Sequence, residues 1–336
     1  MAVSQAVASA PNNPANAAVY VAMAQIQVWS GKYKEAQANA ENALLLNQNS
    51  SMAHAVRGWA LSNQSDFLAA EASIKRALEL DPNNAKAHAY YAELLTDMYF
   101  NNQGGLDIIE RMSEESKVAL SLGSNTMEAH RARGYVYEAT GNYQEAISEY
   151  QAAIQINNNI ADLYLSLGRS YRLLGIYDQA VDALSRANAL NPPDPTPDLI
   201  ISRIYYATGE YAKAEQYAEQ AVRDSPQTTA YHGNLGVIQC RNFKWPEALQ
   251  NLSYVVNGGL YNDEIQVEPL PIQPGRVAEY YYIYGFTLLR LGRCGEAVPI
   301  FRQVVNSVPS DSDAIFNATE GLRLCAESIP GASTAT

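Results

Sequence analysis

Four histidines, three cysteines and a series of arginines set among tyrosines and tryptophans are the residues of this 336-residue chain whose chemistry could be put to use. Imidazoles can act as acid–base groups or metal ligands, thiols can pair, and guanidinium forks can hold carboxylates. The spacings that catalysis requires are missing. No GxGxxG, P-loop, GxSxG, HExxH or paired CxxC run occurs, so the chain encodes no nucleotide cradle, nucleophile elbow or hydrolytic zinc motif. Acidic residues gather at Glu110 to Glu115 and around Asp263, Glu264 and Glu268. Neither stretch alternates oxygen ligands about a glycine turn as a calcium loop does, and the first reads as the solvated face of a helix. No catalytic residue, metal site or cofactor is expected.

What positions these side chains is a 34-residue self-similarity, clearest in Tyr164 to Pro192. There Tyr164, Leu167, Gly168, Tyr171, Gly175, Tyr177, Ala180, Leu184, Ala187 and Pro192 mark two amphipathic helices, with apolar residues every three or four positions and a tight turn at Gly175. The small Gly168, Ala180 and Ala187 let the helices approach closely. The register returns in copies starting near 17, 51, 85, 127, 161, 195, 229 and 278, with insertions near 101–113 and 257–276. A last helix is expected at 312–328. His54, His88, His130 and His232 each fall at the fourth residue of a copy, and one shared packing position accounts for all four better than a catalytic or metal site does.

This pattern resembles the tetratricopeptide repeat, with its W-x2-L-G-x2-Y, then A-x3-F, then P signature, over all but the ends and the two insertions. The resemblance implies an all-α, right-handed α-α superhelical solenoid of about eight helix hairpins plus a C-terminal capping helix, in which stacked hairpins share one core. A single solenoid over 17–328 is expected, between disordered or extended tails at 1–16 and 329–336. In this family the first helices line a concave groove. Carried onto this chain, the lining positions include Trp59, Arg131, Tyr135, Arg169, Arg172, Arg203, Tyr206, Arg241, Tyr282, Phe286 and Arg290, beside Trp29 and Glu138. Arginines between aromatic rings suit an extended, acidic or C-terminal peptide. Equally, they could be satisfied by Glu93, Asp97, Glu138, Asp162 or Glu279 of adjacent repeats. The Lys and Asn of the family's chaperone-tail clamp are not matched by Val21 and Gln25, or by Ala55 and Trp59.

The functional expectation is therefore a non-enzymatic protein-interaction scaffold, with a glycan-binding accessory module and a structural spacer in an envelope assembly as alternatives. The protein carries a net charge of −12, which disfavours nucleic acid and anionic membrane surfaces. No apolar run is long enough to span a bilayer. Charged residues make up 17% of the chain, below the roughly 25% usual in soluble domains, a composition seen more on exported proteins. The first residues lack the basic start and apolar centre of a signal peptide but suit the tail left after one is removed. Cys294 opens the second helix of the last copy and Cys325 closes the capping helix, at one edge of an antiparallel stack. They are expected either to form a disulfide or to stay as buried thiols, with Cys240 filling space. The expected location is extracytoplasmic, periplasmic or secreted, with the cytoplasm as the alternative.

Overall fold

The computed structural model describes residues 16–328, so of the tails expected at 1–16 and 329–336 all but Asn16 lies outside the described residues. Asn16, assigned above to the tail, opens the first helix. The chain divides into two compact units, one ending at Leu190 and the other beginning at Asn191, and each is described by itself.

The described residues of the first unit form five helix pairs: α1 (Asn16–Trp29) with α2 (Tyr33–Leu46), α3 (Ser51–Ser62) with α4 (Phe67–Leu80), α5 (Ala85–Phe100) with α6 (Ile108–Leu122), α7 (Met127–Ala139) with α8 (Tyr143–Ile156), and α9 (Ala161–Leu173) with α10 (Tyr177–Leu190). The second unit holds α11 (Thr196–Ala207) with α12 (Tyr211–Asp224), α13 (Thr229–Arg241) with α14 (Trp245–Asn257), a hairpin of β1 (Gly259–Tyr261) and β2 (Ile265–Val267), α15 (Arg276–Arg290) with α16 (Cys294–Ser307), and α17 (Ser312–Ser328). Within each unit the two helices of a pair pack together, and each first helix also meets the first helix of the next pair. That is the architecture of an α-α solenoid.

The repeat works through size complementarity. Ala36, Ala70, Ala146, Ala180, Ala214, Ala248 and Ala297 hold the same place in the second helix of seven copies, and all are fully buried. In the copy that starts at Ala85 the fully buried Met112 fills that place. On the first helix, a β-carbon added at Gly134 would lie 2.8 Å from the Tyr150 ring, so the tyrosine packs directly on backbone. Each such contact retains the dispersion energy that a gap would forfeit. The turn between helices needs a left-handed residue, supplied by Gly175 at φ 74°, where a β-carbon would be strained.

Both insertions fall at junctions between helices, and the second carries secondary structure of its own. Of 101–113, only residues 101–107 lie between helices, and Ile108 already opens α6. The segment 257–276 carries an antiparallel hairpin in the register Gly259↔Val267, Leu260↔Gln266 and Tyr261↔Ile265. Its turn uses Asn262 and Asp263 at φ 50° and 61°, a mirror-image turn that these two residue types tolerate. Buried Val267, the Thr229 hydroxyl donating to the Glu268 carbonyl at 2.5 Å, and the Leu270 amide donating to Val255 at 2.9 Å tie the segment to α13 and α14.

Candidate functional site

The four histidines share one local role. Nε2 of His54, His88, His130 and His232 bonds the carbonyl six residues upstream, that of Gln48, Pro82, Ser124 and Pro226 respectively. Nδ1 of the last three meets the second helix of the same pair, at Glu115 (2.6 Å), Glu149 (2.6 Å) and Asn251 (2.9 Å). His88, His130 and His232 thus staple the entry of a hairpin to its return helix, whereas His54 makes only the bond to the entry, its Nδ1 being buried without a partner. Glu115, read from sequence as part of a solvated face, is one of those anchors. Burial works against the His88 cation, but Glu115 and the Pro82 carbonyl outweigh it and leave its pKa raised.

In the first unit, arginines and rings from successive first helices converge. Trp59 is buried and stacks on Tyr90, with centroids 4.4 Å apart and planes 8° from parallel. Its edge contact to Trp29 is 4.6 Å. The Arg131 guanidinium lies over both indoles, 4.6 Å from the Trp29 centroid and 5.2 Å from that of Trp59. It is also paired with Glu93 and, at 2.8 Å, with Asp162. Arg169 donates from Nε to Glu138 at 3.0 Å, and the Glu138 carboxylate also accepts from the Tyr150 hydroxyl at 2.8 Å. Tyr135 donates to Asp97 at 2.8 Å. Arg131 and Arg169, two of the expected groove arginines, are therefore held by carboxylates of this unit. Arg172 is half-buried, and its Nε finds no partner.

These side chains surround a cavity of about 160 Å³ whose lining includes Trp59, Glu93, Asp97, Tyr135 and Asp162. Three of the lining residues carry carboxyl groups, Glu93, Asp97 and Asp162, and two carry guanidinium groups, Arg131 and Arg169, the latter paired with Glu138 outside the lining. Burial pushes the Glu93 carboxyl up to about 8 despite Arg131 beside it, and the charges of Asp97 and Asp162 add to the rise. Burial also raises Asp97, whose hydrogen-bond donors are the hydroxyls of Tyr135 and Ser62.

The second unit differs. Arg203, Arg241 and Arg290, on α11, α13 and α15, are exposed. Its ion pairs involve other cations, Lys213, Arg223, Lys244, Arg276, Arg293 and Arg323, so among the described residues these three have no carboxylate partner. Arg241 donates to the Tyr206 hydroxyl at 3.1 Å. Half-buried Tyr282 and Phe286 meet edge-on at 6.4 Å, and Phe286 rests on buried Phe301 at 5.1 Å.

Profiles of the tetratricopeptide repeat match residues 21–85 and 56–97, 127–160, and 172–236. This chain belongs to the tetratricopeptide repeat family. Among solved structures, pilF of Pseudomonas aeruginosa is similar at 19% identity and a TM-score of 0.52, over 62% of this chain and 91% of that one. PilW, described as a widely conserved type IV pilus biogenesis factor, is similar at 18% identity and a TM-score of 0.54, over 61% of this chain and 91% of that one. These likenesses show the fold alone. No curated protein matches this chain in sequence. The tetratricopeptide scaffold serves protein–protein interaction and is typically non-catalytic. Among the described residues no helix is long and apolar enough to cross a membrane.

Cys294 and Cys325 of this repeat protein form a disulfide, with Cα atoms 5.4 Å apart, that joins α16 to α17. Cys240 is a half-buried free thiol whose Sγ lies 3.2 Å from the Thr287 hydroxyl. Sequence reasoning named Glu93, Asp97 and Asp162 only as partners for arginine and missed the cavity they line. Their spacing gives no hint of it, because they come from α5 and α9, on different repeats. The hairpin left a signal that was not used, the Asn-Asp pair of a mirror-image turn.

Proposed function

We propose that this tetratricopeptide protein is a non-enzymatic scaffold that holds an extended acidic or C-terminal segment of a partner protein on the first helices of its second unit. The supporting observation is the set of exposed, carboxylate-free Arg203, Arg241 and Arg290 beside Tyr206, Tyr282 and Phe286. Guanidinium groups with no internal carboxylate keep donors available for carboxylate contacts, while the rings supply rigid contact area. Arg131 and Arg169 are not offered for this role, since carboxylates of their own unit already pair with them. The Cys294–Cys325 disulfide supports an extracytoplasmic site of action, because such bonds persist in oxidising compartments.

The test is fluorescence anisotropy with peptides of graded acidity against the wild type and an Arg203→Glu, Arg241→Glu, Arg290→Glu triple variant. All three positions are exposed, so the variant should keep its circular dichroism spectrum. Acidic peptides should bind, weaken with added salt and be lost in the variant. Equal binding by both proteins would sink the reading. Retention by polysaccharide instead would favour glycan capture, and the absence of any saturable ligand would leave a structural spacer.

A further inference from the structure

A second feature, independent of the arginine surface of the second unit, points to a ligand of opposite charge. The cavity of the first unit is walled by Trp59 and Tyr135 and carries the carboxylates of Glu93, Asp97 and Asp162. Glu93 is 5% exposed, and its Oε1 has no hydrogen-bond partner, although Oε2 is paired with Arg131. A buried carboxylate oxygen without a donor is uncommon, because folding normally satisfies such groups. Asp97 accepts only from neutral hydroxyls, those of Ser62 and Tyr135, so no cation of the protein compensates it directly. With Glu138 behind Arg169, four carboxyl groups surround two guanidinium groups, an excess of negative charge that remains even with Glu93 protonated.

We propose that this cavity receives an organic cation, a guanidinium or alkylammonium group, which donates to Glu93 Oε1 and Asp97 and lies against Trp59 and Tyr135. Its volume, about 160 Å³, admits the charged end of an arginine or lysine side chain. The wall chemistry favours such a guest over a metal ion. Aromatic faces attract organic cations, and among the described residues no His, Cys, Asp and Glu group has the geometry to hold a metal. A guanidinium has several N–H donors in a fixed fork and can meet two carboxylates at once.

Isothermal titration of the full chain with N-acetyl-arginine methylamide, its lysine counterpart and its citrulline counterpart tests the assignment. Citrulline keeps the shape of arginine and removes the charge. The cationic compounds should bind saturably and the citrulline compound should not. Asp97→Asn and Glu93→Gln should each weaken binding at least about tenfold, with unchanged circular dichroism, while Arg203→Glu leaves it unaltered. Presenting the same arginine within an extended peptide identifies the source: a large gain in affinity means a partner's side chain, and equal affinity means a free small cation, with the cation chemistry upheld in both cases. Should Glu93→Gln fail to fold, Asp97→Asn and the citrulline comparison still decide. Binding of citrulline as tightly as arginine, affinity unchanged in a folded Asp97→Asn protein, or no saturable cation binding overturns the proposal.

Discussion

The Arg131 guanidinium, on α7 of the fourth helix pair, lies 4.6 Å from the ring centroid of Trp29, at the end of α1 in the first pair. One side chain therefore links the first helices of non-adjacent repeats, while its charge is matched by Glu93 on the third pair and Asp162 on the fifth. Removing it leaves Glu93 buried without its cation and uncovers two indoles. Because the Arg131 side chain is only 14% exposed, Arg131→Ala should cost about 3–5 kcal/mol, the range for breaking a buried pair from one side. Urea unfolding followed by tryptophan fluorescence measures it. A loss below about 1 kcal/mol, as for an exposed pair, would show that the cluster is not the keystone of this unit.

The histidine staples predict a pH dependence with a definite sign. The folded pKa of His88 is raised by Glu115 and the Pro82 carbonyl against the opposing effect of burial. The folded state therefore binds more proton than the unfolded state between about pH 6.5 and the raised value. Stability from this pair is fully present below the unfolded pKa and is lost as pH rises through the folded one. His88→Gln should therefore cost most near pH 6 and progressively less toward pH 9, as roughly gauged from the reference histidine pKa. Melting temperatures of both proteins over that range provide the check, and a constant difference would contradict the charged staple.

The repeat could be read from the chain because its determinants are local and periodic. A buried alanine such as Ala180, a glycine facing a large side chain such as Gly134 against Tyr150, and the turn at Gly175 each recur at fixed spacing. The shared position of the histidines was equally visible, although their carbonyl partners were not. What the sequence hid depends on how far one repeat reaches into others. Nothing in the spacing of Trp29, Trp59, Tyr90 and Arg131 says that these rings and this cation meet. For the same reason Arg169 and Arg203, both expected to line the groove, have different environments: the first pairs with Glu138 and the second is exposed without a carboxylate.

The Cys294–Cys325 bond closes a loop with a sequence separation of 31 and ties α17 to the preceding pair. By loop-closure entropy a cross-link of this span stabilises by about 3–4 kcal/mol. Reduction, or Cys294→Ser, should lower the unfolding midpoint of the second unit accordingly. A Cys240→Ser background removes the one other thiol and prevents exchange. Equilibrium urea unfolding with and without reductant reads the difference, and superimposable curves would mean that α17 is held by its apolar contacts alone.

Phe243 occupies the turn position that Gly141, Gly175, Gly209 and Gly292 hold in other repeats, and like them it has positive φ, at 60°. An aromatic residue pays for this conformation, since its β-carbon crowds the following carbonyl at a cost of about 1–2 kcal/mol. Little is recovered by burial, because the side chain is 77% exposed and its ring contact is a 6.0 Å edge approach to Trp245. Phe243→Gly relieves the strain but adds freedom to the unfolded chain. The balance should raise stability by about 0.5–1 kcal/mol, measured as an upward shift of the thermal midpoint. A loss instead would show that the Phe243–Trp245 contact outweighs the strain, and would make this exposed ring the next position to test for a partner.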